Sequence, residues 1–225
     1  MSKALFITGT GTDVGKTYIS GLILKKLREK HKRAAYYKAA MSGNARGADG
    51  ALIPGDALYV KTFSGISQPL EEMCPYVYET AVSPHLAAKI EGNPVSMDTV
   101  LHGFDLVCAR YDYVIAEGSG GILCPLRFDE RKILLDDFIK ARSLSCVITA
   151  DSGLGTINSV ALTAEYMKSR GIAVKGIIFN HYEPGNILHD DNIFMCEQMT
   201  GLKVIARVKN GDCSINIEEL ESLFT

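Results

Sequence analysis

The 225 residues contain no apolar run long enough to cross a bilayer, which takes about 20 consecutive residues. They also lack an excess of charge: 24 lysines and arginines stand against 26 acidic residues, a formal net charge of −2. No basic field draws the chain to nucleic acid or to an anionic membrane. No two cysteines have the C-x-x-C spacing, and the five histidines show no ligand spacing. Cys74, Cys108, Cys124, Cys146, Cys196 and Cys213 therefore read as free thiols of a cytoplasmic, reducing environment rather than as disulfides or a metal centre. A secretory leader is not expected, because residues 4–8 are too short for an apolar leader core and run straight into glycine. Repeats, low-complexity tracts and linkers are absent, so 1–225 reads as one domain, long enough for a sizeable core.

Short apolar strands alternate with helical segments. Strands are predicted at 4–8, 33–39, 112–116, 145–150, 174–179 and 203–208, and helices at 16–30, 56–64, 84–91, 96–109, 133–142, 156–170, 187–200 and 217–224. Near-continuous apolar strands need cover on both faces. The expected fold is therefore α/β, a mostly parallel sheet with helices on both sides. In 16–30, Ile19, Leu22, Ile23 and Leu27 recur at helical spacing and form a core stripe. The stretch 42–55 is the loosest in the chain, and a long loop beside a strand end is more often functional than idle.

The first strand meets the first helix through Thr8-Gly9-Thr10-Gly11-Thr12-Asp13-Val14-Gly15-Lys16-Thr17-Tyr18. Strand, glycine-rich loop, Gly-Lys-Thr, helix is the layout of a loop that cradles phosphates. Its backbone N–H groups form an anion nest, and the helix start adds unpaired N–H groups and a positive dipole end. Lys16 is placed to reach the outer phosphates and Thr17 to ligate Mg²⁺. The common spacing G-x-x-x-x-G-K-[ST] puts its first glycine at Thr10, whereas here Gly9 lies one residue further out and Gly11 lies inside the loop. A chance Gly-Lys-Thr in a turn is the alternative; the flanking strand and helix favour phosphate.

In such sheets ligands sit outside the carboxyl ends of the strands. Those ends carry Lys38 and then Met41-Ser42-Gly43, Glu117-Gly118-Ser119-Gly120-Gly121, Asp151 through Asn158, and Asn180-His181. Glu117 is placed like an acidic Mg²⁺ residue, or else is a helix-capping or surface carboxylate. Asp56, after Pro54-Gly55, is equally an N-cap or a second Mg²⁺ carboxylate. Lys38 is a solvated strand end or a second cation for phosphoryl transfer. The start of helix 156–170 could hold a carboxylate on its free N–H groups or simply be capped.

Taken together these segments resemble the dethiobiotin synthetase family. The resemblance rests on G-T-x-T-x-V-G-K-T over residues 9–17, Tyr37-Lys38 followed by Ser42-Gly43, Asp56-Ala57, Ser83-Pro84-His85, Glu117-Gly118-Ser119-Gly120-Gly121 and Leu154-Gly155-Thr156-Ile157-Asn158, in family order across residues 4–180. It implies a single-domain fold of the P-loop NTPase type and ATP-dependent conversion of 7,8-diaminononanoate and CO₂ to dethiobiotin, the penultimate step of biotin synthesis. It also implies a homodimer with sites at the subunit interface. By the same resemblance, Asp13, Val14, Gly15, Lys16, Thr17 and Tyr18 wrap the phosphates, with Gly118, Ser119 and Gly120 close to the nucleotide. Thr17, Asp56 and Glu117 hold Mg²⁺, and Lys16 and Lys38 stabilise the carbamate and the migrating phosphoryl group. Thr12 and Ser42 contact substrate, Asn180 and His181 meet adenine, and Gly155, Thr156, Ile157 and Asn158 of a neighbouring subunit bind the substrate carboxylate.

Three places depart from the family pattern: Ala39 replaces a usual proline, Asp151 stands where relatives are often basic, and 206–212 lacks the proline of a base-holding loop. The last leaves the base preference open. A related amidoligase is the second enzyme reading, but no residues remain for a glutaminase domain. A partner-driven nucleotide switch of the partitioning type is disfavoured, because no second lysine precedes Gly15 in the loop. A binding module without catalysis is disfavoured by Lys16, Thr17, Lys38, Asp56 and Glu117 together.

Overall fold

The computed structural model describes residues 2–224. The central sheet uses β1 (Lys3–Gly9), β2 (Ala34–Lys38), β5 (Tyr113–Glu117), β8 (Ser145–Asp151), β9 (Val174–Asn180) and β10 (Val204–Arg207). Their order is β10-β9-β8-β1-β5-β2, and every pair in this sheet is parallel. Two-stranded ladders lie outside it: β3 (Ala40–Met41) with β4 (Tyr76–Val77), and the hairpin β6 (Pro125–Phe128) with β7 (Lys132–Leu134). The helices are α1 (Lys16–Glu29), α2 (Gly55–Ser64), α3 (Pro84–Ile90), α4 (Met97–Arg110), α5 (Leu135–Ala141), α6 (Thr156–Ser169) and α7 (Ile187–Thr200).

Both faces of the sheet are buried, which is why its strands are apolar without interruption rather than alternating. In β1, Leu5 and Ile7 pack with Ile19, Leu22, Ile23 and Leu27 of α1 and with Ala57 and Val60 of α2. Ala4 and Phe6 point the other way, to a layer that includes Phe104 of α4, Phe138 of α5 and Val160 of α6. The α/β sandwich expected from the sequence is the fold observed.

Local differences from expectation have physical causes. Residues 133 and 134 belong to β7, not to a helix, and α5 starts at Leu135, where the Asp137 carboxylate accepts the Leu134 N–H at 2.8 Å. The hairpin was missed because runs of three and four residues are too short for a period-2 signal. The expected helix at 217–224 is only a 3₁₀ turn, Leu220–Leu223. With Ile217 it buries Leu220, Leu223 and Phe224 against the α1–α2 layer, and three residues per turn set Leu220 and Leu223 on one side.

One edge of the sheet is β2, and there the outward groups of Tyr36 and the Lys38 N–H are not left open. Gln68 accepts the Tyr36 N–H at 2.7 Å and donates to the Tyr36 carbonyl at 3.0 Å. The Lys38 N–H donates to the Met73 carbonyl at 2.8 Å. Gln68 is wholly buried.

Candidate active site

Lys38 and Glu117 are the last residues of β2 and β5, and they are register partners. Glu117 is in turn opposite Ile7 of β1. Because side chains alternate along a strand, both take the face of Tyr36 and Ile115, the face covered by α1 and α2. There they meet Thr17 and Ser20 from α1 and Asp56 from α2.

Glu117 has no exposed surface and both oxygens are engaged. Oε1 accepts from Thr17 Oγ1 at 2.8 Å and from Lys38 Nζ at 2.7 Å, and Oε2 accepts from Ser20 Oγ at 2.9 Å. Lys38 Nζ also donates to Asp56 Oδ2 at 2.6 Å. Burial alone would depress the Lys38 ammonium, but Glu117 and Asp56 outweigh it and hold its pKa above the ordinary lysine value. Lys16 is shifted the other way, lowered by burial and by the charge of Lys38 against the pull of Glu117, Asp56 and Asp13. The Asp56 carboxylate therefore serves Lys38, while the cap position of α2 falls on Pro54.

Asp56 is aimed by the loop before it. Asn44, buried, accepts the Gly55 N–H at 2.9 Å and donates to the carbonyls of Met41 and Tyr78 at 3.0 and 2.8 Å. The stretch 42–55, read from sequence as the loosest, is thus pinned by this amide as well as by backbone bonds from Gly43 to Thr80, Asn44 to Tyr78 and Ile53 to Ala45. Asn44→Ala is expected to lower stability by about 1–3 kcal/mol, the cost of buried partners left unmade. Denaturant unfolding measures it, and a change under about 0.5 kcal/mol would remove the pinning role.

In the glycine loop, Lys16 Nζ donates to the Gly11 carbonyl at 2.7 Å. Gly15 has φ +91°, and Asn180 Nδ2 lies 2.1 Å from where a Cβ would stand. Asn180 Nδ2 donates to the Val14 carbonyl at 3.2 Å, which ties the end of β9 to the loop. The Tyr18 hydroxyl donates to the Asp212 carbonyl, and Lys25 donates to the Cys213 carbonyl at 2.8 Å. The segment after β10 is thereby hung on α1 beside the loop.

A cavity of about 840 Å³ opens here. Of the expected site residues, Thr12, Asp13, Gly15, Lys16, Thr17, Tyr18, Lys38, Ser42, Asp56, Ser119 and Gly120 line it. Glu117 sits just beneath, on Lys38 and Thr17. Val14, Gly118, Asn180 and His181 are outside the lining, and Gly118 packs against Leu135 and Phe6. Gly155, Thr156, Ile157 and Asn158 are also outside it; Gly155 and Asn158 are exposed. Sequence reasoning missed Tyr59, Val82 and Cys124, which line the cavity too. Tyr59 could have been found from its place three residues after Asp56 on one helix face.

An AAA domain family model matches residues 3–216. The ATP-dependent dethiobiotin synthetase BioD of Brachyspira hyodysenteriae is 47% identical over 225 residues, 100% of either chain. The chain belongs to the dethiobiotin synthetase family. The synthetase of the same name from Clostridium novyi is 43% identical, over 100% of this chain and 94% of that one. Among solved structures, the MinC:MinD complex of Aquifex aeolicus aligns at TM-score 0.59 and 12% identity, over 99% of this chain and 85% of that one. A ParA family ATPase from Chlorobium tepidum aligns at 0.56 and 14%, over 93% and 84%. At such identities these two show the fold alone.

Against the dethiobiotin synthetase pattern, Asp151 is accommodated by neighbours that hydrogen-bond both of its oxygens. Its Oδ2 pairs with His181 Nδ1 at 2.6 Å, and its Oδ1 accepts the Gly153 N–H at 2.7 Å. Burial works against its charge, but the hydrogen bonds from His181 and Gly153 prevail and hold the carboxyl below the usual aspartate value. With the folded pKa depressed, the stabilisation is present above the unfolded value of about 3.9 and is lost as pH falls through the folded one. Asp151→Asn is therefore expected to lower Tm near neutral pH, with the gap to wild type closing in acid. Thermal melts across that range test it; a gap that widens in acid would refute the pairing.

Proposed function

We propose that this chain, as one domain over residues 1–225, joins 7,8-diaminononanoate and CO₂ at the expense of ATP, giving dethiobiotin, ADP and phosphate. The observation that carries this reading is the junction of Lys38, Asp56, Glu117 and Thr17 beside the glycine loop, in one cavity with Lys16 and Ser42. Full-length relatives named as ATP-dependent dethiobiotin synthetases support it.

One amine adds to CO₂ and loses a proton, giving a carbamate. A carbamate oxygen attacks the γ-phosphorus and ADP leaves, forming a carbamic–phosphoric anhydride. The second amine then attacks the carbonyl carbon and expels phosphate, which closes the cyclic urea and releases a proton. The protein's part is positioning and charge stabilisation. In this proposal residues 13–18 wrap the phosphates, and Lys16 and Lys38 face the carbamate and the transferring group. Thr12 and Ser42 bind the substrate; the Ser42 hydroxyl, now donating to the Val82 carbonyl at 2.5 Å, turns outward to do so. Gly118, Ser119 and Gly120 border the nucleotide, and Asn180 and His181 meet the base, adenine.

The donor set suits Mg²⁺. The Thr17 hydroxyl and the Asp56 and Glu117 carboxylates are hard oxygen ligands, and both carboxylates already converge on one cationic atom. When bound, the ion would offset the triphosphate charge.

A homodimer belongs to the same proposal, with Gly155, Thr156, Ile157 and Asn158 of one subunit serving the carboxylate of substrate in the other. Leu154 is 91% exposed before α6 and Ile187 is 86% exposed at the start of α7, two bare apolar side chains that a second copy would cover. A cytoplasmic location is proposed as well: all six cysteines are unbridged, as a reducing compartment leaves them.

The test is phosphate release from Mg²⁺-ATP with bicarbonate, with and without the diamine, together with mass detection of product. Diamine-dependent release with a cyclic urea is the expected result. ATP binding without either would overturn the assignment in favour of an amidoligase or a partner-driven ATPase.

A further inference from the structure

Lys38 holds two carboxylates at once, Asp56 Oδ2 at 2.6 Å and Glu117 Oε1 at 2.7 Å. Among the described residues it is the only cation paired with either. Its ammonium therefore sits where the metal ligands converge, one positive charge shared between two negative ones. So engaged, it presents little positive charge to an anion in the cavity.

The lone pairs show why this arrangement cannot persist in a metal complex. A carboxylate oxygen has two acceptor sites. Glu117 Oε1 spends both, on Thr17 and Lys38, while Oε2 accepts from Ser20. Thr17 can offer its oxygen to a metal and still donate its hydrogen to Glu117. Lys38 has no lone pair to offer and would repel a divalent ion at that range. Of the two groups on Oε1, the lysine is the one that has to leave. It lines the cavity, so it has somewhere to go.

We propose that Lys38 is the resident counter-ion of Asp56 and Glu117 in the metal-free protein, and that it gives up this seat when the divalent cation binds, becoming available to an anionic substrate group only then. The inference rests on the Mg²⁺ reading above. It makes the order of events a property of one side chain: without the metal, the lysine is neutralised; with it, the cavity gains a free cation for the carbamate. Substrate-stage binding and metal occupancy are then coupled through Lys38.

The first test is Mn²⁺ binding to the full chain without nucleotide, followed by the electron paramagnetic resonance signal of the free ion. Removing the competitor in Lys38→Met should tighten Mn²⁺ binding by about tenfold or more. Equal or weaker binding would overturn the proposal. Glu117→Gln separates the two readings: if it binds Mn²⁺ with ATP as tightly as wild type, the metal assignment itself is wrong and the inference falls with it. A second measurement needs no altered charge cluster. In wild type with isotope-labelled lysine, the Lys38 ammonium resonance is identified by its loss in Lys38→Arg. It should stay in place when ATP is added with a chelator and move when Mg²⁺ follows. A resonance that ignores Mg²⁺, or that moves fully with ATP alone, would overturn the exchange.

Discussion

Lys38→Ala is expected to lower turnover by roughly 100- to 1000-fold, the range seen when one preorganised donor to a transition-state charge is removed. The dissociation constant for Mg²⁺-ATP should not rise by more than about tenfold, because the phosphates are held mainly by loop N–H groups and Lys16. The split follows from position. Lys38 stands at the carboxyl end of β2, on Asp56 and Glu117 rather than within the loop. The variant should also be less stable without metal, by about 3–5 kcal/mol, because a buried charge pair loses one partner and Glu117 is left uncompensated. Steady-state kinetics, calorimetry of nucleotide binding and melts with and without Mg²⁺ measure the three effects. Unchanged turnover would remove Lys38 from catalysis.

Gly15→Ala carries the second large effect. A side chain at φ +91° is strained, by about 1–2 kcal/mol, and the new Cβ would stand 2.1 Å from Asn180 Nδ2. Asn180 is almost fully buried and holds the Val14 carbonyl, so the overlap cannot be relieved by swinging into solvent. Either the loop opens or the end of β9 shifts, and the anion nest loses its geometry. Nucleotide affinity should fall by roughly 100-fold or more, with the far-ultraviolet spectrum kept. Wild-type affinity in this variant would mean that the loop does not need its left-handed residue to bind phosphates.

The fold was legible because its strands are buried on both sides and each ends in a residue that breaks the apolar run. Lys38, Glu117 and Asp151 mark those ends by charge alone. Parallel order then sends Lys38 and Glu117 to the same edge, and alternation sends them to the same face. What could not be read was pairing across elements. Asp56 lies far from Glu117 in sequence, and either could have been a helix cap until α2 and β2 were set beside each other. Asn44 and Gln68 look like ordinary loop amides, yet each is buried and satisfies backbone groups of distant segments. The two strands of the 125–134 hairpin are shorter than any periodicity can register, and the C-terminal apolar residues follow the surface they cover rather than a helical repeat.

The amide of Gln68 has a meaning for this protein in a crowded solution. A bare strand edge offers its hydrogen-bonding groups to any other extended chain, including the same strand of another molecule. At β2, Tyr36 has its N–H and its carbonyl occupied by one buried side chain that behaves like a fragment of a seventh strand. Gln68→Ala would strip both Tyr36 backbone groups of their buried partner, so that any local opening of the covering 66–74 segment bares an unpaired edge. Its expected signature is time-dependent light scattering and sheet-to-sheet self-association at concentrations where the wild type stays clear, so that one glutamine separates a catalyst from the beginnings of a precipitate.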